Sequence, residues 1–273
     1  MAFWNKRRKK QAVPQTIPPQ ERLLSYRVAN LQGIGTRQNQ EDAFAFVNAV
    51  DVTEMKRKGL LALVADGMGG MEGGKRASET VIAAMKDAFG GLDRQGNLAE
   101  SLKESVISAG QQVFELLNGR GGSTLVACLF FEEQLYFASV GDSYLYLLRD
   151  GELLRMNRPH NVRQDLWLES IHCDSMDPEP ACANKEADAL TQFLGMEDIE
   201  DVDYLHRPLT LREGDLFLLC SDGVAGVLTE AEISACLQGD TPDQMCSKLE
   251  QAVLAQNRKY QDNYTALIIR CGY

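Results

Sequence analysis

The sequence predicts an α+β fold, a four-layer α/β/β/α sandwich of two antiparallel sheets flanked by helix pairs, with a flap insertion. Three observations lead to it. Apolar β-runs come in groups and do not alternate regularly with helices, which argues against a Rossmann or barrel arrangement. Two pairs of helical segments separate those groups. Several runs are joined by only two residues, short enough for antiparallel neighbours.

In chain order, Tyr26 to Leu31, Ala43 to Val47 and Gly59 to Ala65 read as strands. Glu72 to Phe89 reads as a helix, because Ala77, Val81, Ile82, Met85 and Phe89 recur on one face. Asn97 to Leu117 repeats that period through Leu98, Leu102, Val106, Ala109, Val113 and Leu116. Ser123 to Phe131, Gln134 to Val140 and Ser143 to Leu148 follow as strands. The short links Glu132-Glu133 and Gly141-Asp142 make them antiparallel neighbours. Asp150-Gly151 marks another hairpin turn. From Asn157 to Asp203 periodicity is lost among Pro159, Pro178 and Pro180, which suggests an irregular flap with one or two short helices. Order returns with a strand at Leu211 to Ser221, helices at Thr229 to Leu237 and Pro242 to Gln256, and a last strand at Tyr264 to Cys271.

Residues 1–21 read as a basic, proline-containing flexible tail and 22–273 as one folded unit, with the flap at about 157–203. The net charge is −11, yet the first ten residues carry five cations and no acid, leaving −16 for the remainder. A body this acidic repels nucleic acid. The tail reads as solvated chain; a sharper reading gives it weak contact with an anionic membrane or an acidic partner, helped by Phe3 and Trp4. Seven cysteines, an odd number with no C-x-x-C pair, read as free thiols in a reducing cytoplasm. No apolar stretch approaches the ~18–20 residues of a membrane span, and the basic start lacks the apolar region of a secretory signal.

The chemistry resides in acids at strand ends. Asp66, Asp142 and Asp222 each follow an apolar run, Asp262 precedes one, and Asp42 stands beside Glu41 ahead of Ala43 to Phe46. Five such ends converging on one rim would present oxygen ligands to hard divalent cations. After Asp66 come Gly67, Gly69, Gly70, Gly73 and Gly74, which allow close backbone approach to an ion; the plain alternative is a flexible turn. Arg37 lies five residues before Asp42 and is suited to clamping a phosphate, although the same segment also reads as a solvated loop. Gly141-Asp142-Ser143 and Ser221-Asp222-Gly223 each read alone as ordinary turns.

Together these motifs resemble the metal-dependent serine/threonine protein phosphatases of the protein phosphatase 2C type, bacterial members in particular. The resemblance spans roughly residues 25–271. It rests on Arg37 with Glu41-Asp42, Asp66-Gly67-Met68-Gly69-Gly70, Gly122-Ser123-Thr124, Val140-Gly141-Asp142-Ser143, Cys220-Ser221-Asp222-Gly223 and Asp262-Asn263 with Thr265. It implies the sandwich already read from the pattern, with the flap beside a metal site. It also implies hydrolysis of phosphoserine and phosphothreonine in proteins by a metal-activated water, with two Mn²⁺ or Mg²⁺ ions as cofactors. Asp66 would bridge the ions and the Gly67 carbonyl would ligate one of them. Asp222 and Asp262 would complete the primary site. Glu41 and Asp42 would act directly or through water, and Arg37 would hold the phosphate. Asp142, with Asp222, would serve a third, weaker position. The implied partners are phosphoprotein substrates and an opposing serine/threonine kinase.

The match departs from the family pattern at several points. Met68 and Met71 stand where some members have histidines, and Tyr144 stands where arginine is usual, with Arg149 or Arg155 as candidates to compensate. Pro159-His160 replaces the usual Asp-His. The flap offers His172, Cys173, Asp174 and Cys182, read as exposed loop residues with zinc ligation as the alternative. The competing functional reading is a catalytically weak or inactive phosphoprotein-binding module on the same fold. The presence of Asp66, Asp222 and Asp262 weighs against it.

Overall fold

The computed structural model describes residues 24–70, 73–173 and 183–273. The tail of residues 1–21 lies outside them, as do Met71, Glu72, Asp174 and Cys182. Two antiparallel sheets form the centre. One runs β1 (Ser25–Gly33), β13 (Tyr264–Gly272), β12 (Leu216–Cys220), β8 (Tyr144–Arg149), β9 (Glu152–Arg155). The other runs β10 (Asp203–Tyr204), β7 (Gln134–Val140), β6 (Leu125–Phe131), β3 (Leu60–Ala65), β2 (Ala43–Val47), with β11 (Leu209–Thr210) also paired to β7. A two-residue ladder, β4 (Gly67–Met68) on β5 (Gly122–Ser123), sits at the end of β3.

Three buried clusters correspond to the three interfaces of four layers. Phe130, Phe217, Leu60, Val64, Leu267 and Ile269 meet between the sheets. Leu61 and Leu63 point the other way, against Val81 and Met85 of α2 (Gly73–Phe89) and Leu102 and Val106 of α3 (Leu98–Leu117). Leu218 and Ile268 pack against Ile233 of α6 (Glu230–Cys236) and Met245, Leu249 and Val253 of α7 (Pro242–Ala255). Successive side chains of a strand face opposite ways. With both faces covered, β3 and β6 must therefore be apolar throughout, and every residue in them is buried.

Helix ends are fixed locally. Thr229 and Glu232 form a reciprocal capping box at α6. Thr241 caps α7, with Pro242 in its first turn. Asn118 ends α3 in the left-handed region at φ 51°. Two helices were not expected from the pattern. These are α1 (Val52–Lys58), which buries none of its residues and is capped by Asp51, and the single turn α5 (Asp222–Ala225). Within the segment expected to be a flap, α4 (Val162–His172) is a short helix.

The structure corrects one pairing. Glu132-Glu133 does make β6 and β7 hairpin neighbours, with both residues at positive φ as a type I′ turn requires. The Gly141-Asp142 link does not pair β7 with β8; it carries the chain from one sheet to the other. Gly141, at φ 96°, makes this turn against the Thr124 side chain, where an added Cβ would approach to 2.6 Å. The expected strand from Leu211 is also shorter, because Arg212 to Asp215 forms a turn. In it the Asp215 carboxylate accepts from the Arg212 amide at 2.7 Å and from Arg149 at 2.6 and 2.7 Å.

No described helix is long and apolar enough to cross a membrane. Stability should depend most on the layer between the sheets. Phe217→Ala should cost about 3–5 kcal/mol and lower the thermal midpoint by roughly 6–20 °C, with far-ultraviolet circular dichroism unchanged below the transition. A shift of a degree or less would show that the sheets do not depend on this contact.

Candidate functional site

Crossing strands bring the predicted acids to one rim. Glu41, Asp66, Asp142, Asp222 and Asp262 line a single cavity of about 590 Å³, together with Arg37, Gly67 and Met68. Asp66 ends β3 and Asp222 follows β12 by two residues. Asp142 lies in the crossing between sheets, and Asp262 precedes β13 by two residues. Asp42 does not line the cavity. It is buried to 6% exposure behind the rim.

Each acid is anchored through its backbone or by a neutral neighbour. The Asp66 amide donates to Thr124 Oγ1 at 3.0 Å, and the Thr124 amide returns a bond to the Asp66 carbonyl at 2.8 Å. Thr124 Oγ1 shares a 2.7 Å hydrogen bond with Ser143 Oγ, tying the ends of β3 and β6 to the Asp142 turn. Ser221 Oγ donates to Asp42 Oδ2 at 2.8 Å and accepts from the Thr265 amide at 3.0 Å. Asn263 accepts from the Glu41 amide at 2.8 Å and donates to the carbonyls of Ile34 and Asn39, so one amide fixes the whole Arg37 loop. Gly74 lies so close to Glu41 that an added Cβ would come within 2.4 Å of Oε2.

Electrostatically the rim is short of positive charge. Burial first, then repulsion from Asp42, Asp222, Asp142 and Asp262, raises the Asp66 pKa well above the ordinary carboxylate range. Burial and Asp222 push Asp142 up to about 7. Burial pushes Asp42 up to about 6, opposed by hydrogen bonds from Thr265 and Ser221. Asp222 is raised by burial and by Asp262, while its hydrogen-bonding neighbour Asp66 lowers it. Asp42 Oδ1 and Asp222 Oδ1 are buried without a partner. Orphaned anionic oxygens in an all-oxygen donor set suit a hard divalent cation. Among the described residues no three acidic, imidazole or thiol groups close into an ion-sized cage by themselves, so the acids line a cavity and do not surround a point. Arg37 lines the cavity, is 60% exposed and is bonded to Asp262 Oδ2 at 2.5 Å.

The departures from the family pattern have structural counterparts. Arg149 is engaged with Asp215 and plays no part at the rim. Arg155 lies over the Tyr144 ring, 4.0 Å from its centroid, and its charge lowers the Asp142 pKa against the effect of burial. Arginine is thus present beside Asp142, but it arrives from β9 and not from the residue after Ser143. His160 is buried, and its backbone and ring engage both sides of Gly141. Its amide donates to the Gly141 carbonyl at 2.9 Å, and its Nδ1 accepts from the Gly141 amide at 3.1 Å. Burial lowers its pKa, in keeping with a neutral accepting ring. His172 is bonded at Nδ1 to the carbonyl of Leu168, and Cys173 is exposed. Cys182 and Asp174, the other members of that group, lie outside the described residues.

The sequence reading missed Asp188, which lines the cavity from the flap and pairs with Arg163 at 2.8 Å. Nothing in Ala187-Asp188-Ala189 distinguishes it. It also passed over Asn263 and the hydroxyls of Thr124, Ser143 and Ser221 as anchors, although each adjoins or pairs with an acid-bearing turn.

Comparison with known proteins places this arrangement. The protein phosphatase 2C family model matches residues 33–259, and the chain belongs to that family. Serine/threonine phosphatase Stp of Listeria innocua is 29% identical over 231 residues, covering 80% of this chain and 87% of that one. The crystal structure of the Mycobacterium tuberculosis serine/threonine phosphatase PstP superposes with a TM-score of 0.74 at 27% identity, covering 92% of this chain and 100% of that one. The catalytic domain of PstP in complex with two manganese ions gives a TM-score of 0.73 at 26% identity, again covering 92% and 100%.

The raised acids make a signed prediction for the metal-free protein. Burial and the neighbouring Asp222 push the Asp142 pKa up to about 7 in the fold, against about 3.9 in an unfolded chain. Its contribution is therefore fully present below pH ~4 and lost as pH rises toward ~7. Asp142→Asn should raise the thermal midpoint in EDTA by several degrees at pH 8 and leave it nearly unchanged at pH 4. A midpoint at pH 8 that stays put or falls would show that burial and the Asp222 charge do not penalise an ionised Asp142.

Proposed function

We propose that this protein, as a member of that family, hydrolyses phosphoserine and phosphothreonine in proteins with two bound Mn²⁺ or Mg²⁺ ions, and that Asp142 with Asp222 serves a third, weaker position. The observation that carries the proposal is the single rim of Asp66, Asp142, Asp222, Asp262 and Glu41 with Arg37 beside it, containing a buried carboxylate oxygen that no protein group satisfies. When bound, the ions supply Lewis-acid charge and an acidified water.

The chain's own part is to hold ligands and orient phosphate. Asp66, fixed by the Thr124 exchange, and the Gly67 carbonyl beside it would hold the ions. Asp222 and Asp262 enter from the other sheet. Glu41 faces the cavity, and Asp42 supports from behind through Ser221. Arg37 is tethered only by an exposed pair, which is weak in water. It can exchange Asp262 for a substrate phosphate and donate two parallel bonds to it. No side chain at the rim is a ready nucleophile. Burial pushes the Cys220 thiol far up, and Thr124 and Ser143 hydroxyls are bonded to each other. A phospho-enzyme is therefore not required. A catalytically silent phosphoprotein-binding module would have no use for crowded, unsatisfied acids.

The catalytic unit in this reading spans 22–273, with 157–203 as the flap, and works in the cytoplasm opposite a serine/threonine kinase.

Hydrolysis of p-nitrophenyl phosphate and of phosphothreonine peptides should require Mn²⁺ or Mg²⁺ and stop in EDTA. Asp222→Asn should reduce kcat at least about a hundredfold and lose most of the thermal stabilisation that Mn²⁺ gives the wild-type protein. Turnover that persists in EDTA, or metal stabilisation unaltered in the variant, would sink the assignment. Arg37→Ala should lower kcat/KM roughly 10- to 100-fold, as expected for a lost charge-assisted contact, while Mn²⁺ stabilisation persists. Equal loss of metal stabilisation would make Arg37 a structural residue instead.

A further inference from the structure

A second cavity, of about 440 Å³, opens beside the first and shares Asp142, Asp188, Asp222 and Asp262 with it. One wall includes Arg258 and Tyr260, from the loop between α7 and β13, to which the phosphatase reading assigns only Asp262; Tyr144 of β8 also lines the groove.

The loop is held firmly at the rim. The Gln261 carbonyl accepts from the Thr36 amide at 2.9 Å and from Thr36 Oγ1 at 3.1 Å, and Gln261 Nε2 donates to the Gly223 carbonyl at 3.0 Å. It is therefore clamped to both the Arg37 loop and the start of α5. Next to that clamp in the chain stand two cations and an aromatic ring. Arg258 and Lys259 are exposed, and Tyr260 is 79% exposed with the Lys259 ammonium 5.0 Å from its ring centre. Arg258 makes no ion pair among the described residues, whereas Arg163 across the groove is engaged by Asp188. The facing wall is also rigid. The Tyr144 ring stacks on Tyr146 at 5.8 Å with 12° between planes and is covered on its other contact by Arg155 at 4.0 Å. Arg258 is thus an exposed arginine without an ion pair among the described residues, lining the groove on a protein of net charge −11. Here it flanks the acids that cations would neutralise, so it keeps its charge for something else.

We propose that this groove is the subsite for the polypeptide flanking the phosphoresidue, and that Arg258, which lines it together with Tyr260, selects substrates with acidic side chains near the phosphate. The inference rests on the phosphatase reading and goes beyond it by naming the substrate class. Arginine suits the task because its planar fork meets a carboxylate through paired N–H groups. Being exposed, the contact is worth at most about 1 kcal/mol, or roughly fivefold in kcat/KM, and is weakened by salt.

The test uses two phosphothreonine peptides that differ only in flanking residues, glutamates in one and lysines in the other. Both are assayed with Mn²⁺ on the wild-type protein, Arg258→Ala and Arg258→Glu. The readout is the ratio of kcat/KM for the two peptides, which cancels any general loss of activity or folding. The ratio should favour the acidic peptide in the wild type, fall about fivefold in Arg258→Ala and reverse in Arg258→Glu. It should shrink toward one as salt is raised. A ratio identical in all three proteins, or a wild-type preference for lysines, would overturn the subsite. p-Nitrophenyl phosphate, which has no flank, separates the two levels of inference. If the wild-type protein hydrolyses it but the peptide ratio does not respond to Arg258, the groove assignment fails and the phosphatase reading stands. If the wild-type protein does not hydrolyse it, the phosphatase reading fails and takes the groove with it.

Discussion

Like charges gathered out of water repel, and the arrangement of this fold at its functional end follows from having to hold them there. Asp66 lies in the field of four other aspartates, and its pKa is raised accordingly. Two unit charges about 4 Å apart cost on the order of 4 kcal/mol at the effective dielectric of a protein surface. A few such pairs rival the whole 5–15 kcal/mol by which a domain is stable. The acids therefore cannot be left to find their positions through their own charges. They are held by groups that carry no charge. Thr124 holds Asp66, Ser143 holds Thr124, Ser221 and Thr265 hold Asp42, and Asn263 holds the loop before Glu41. Neutral anchors fix geometry without cancelling the charge that a cation needs.

The same requirement accounts for the passage between sheets. Asp142 must stand opposite Asp66 and Asp222, which end strands of different sheets, so the chain that carries it crosses between them. A hairpin at Gly141 would keep it in one sheet. The crossing is secured by the αL-side glycine, by the Thr124 side chain packed against it and by His160, which meets both the amide and the carbonyl of Gly141. A neutral histidine serves here because its ring accepts a bond while buried, whereas the Asp-His pair usual in the family would bring a further acid. In this chain Pro159 removes that carboxylate.

The layered fold was legible because burial on two faces leaves a plain mark, as in the unbroken apolar runs of β3 and β6. The rim acids were legible because they interrupt such runs. What remained hidden has physical reasons. Gly141-Asp142 could equally have closed a type II′ hairpin, which also begins on glycine, and only the packing of both sheets decides between them. The helix α1 buries no residue and so leaves no periodic signal. Asp188 comes to the cavity through flap geometry, and an aspartate between two alanines has no sequence context to mark it. Arg155 reaches Tyr144 and the vicinity of Asp142 across a β-hairpin, a relation of register (Tyr146 opposite Arg155) and not of spacing. Asp42 and Glu41 were read as a pair with divided duties. Their burial separates them, with Glu41 at the cavity and Asp42 behind it.

These acids couple stability to activity. In the absence of cations the rim is a source of strain, relieved in part by protons on groups such as Asp142 and Asp42, whose pKa values reach about 7 and about 6. A cation that binds the folded state alone stabilises it by RT ln(1 + [L]/Kd), about 2.7 kcal/mol when its concentration is a hundred times Kd. Protons and cations compete for the same oxygens, so neutral pH and divalent ions favour one state of the rim while acid favours another. Removing an acid would therefore help the empty fold and harm the loaded one. Asp42 is an informative case, because it stands behind the cavity with one oxygen unpartnered and the other bonded to Ser221. Its carboxylate is thus buried at a cost that the Ser221 bond only partly offsets, and that bond links it to the strand end that carries Asp222.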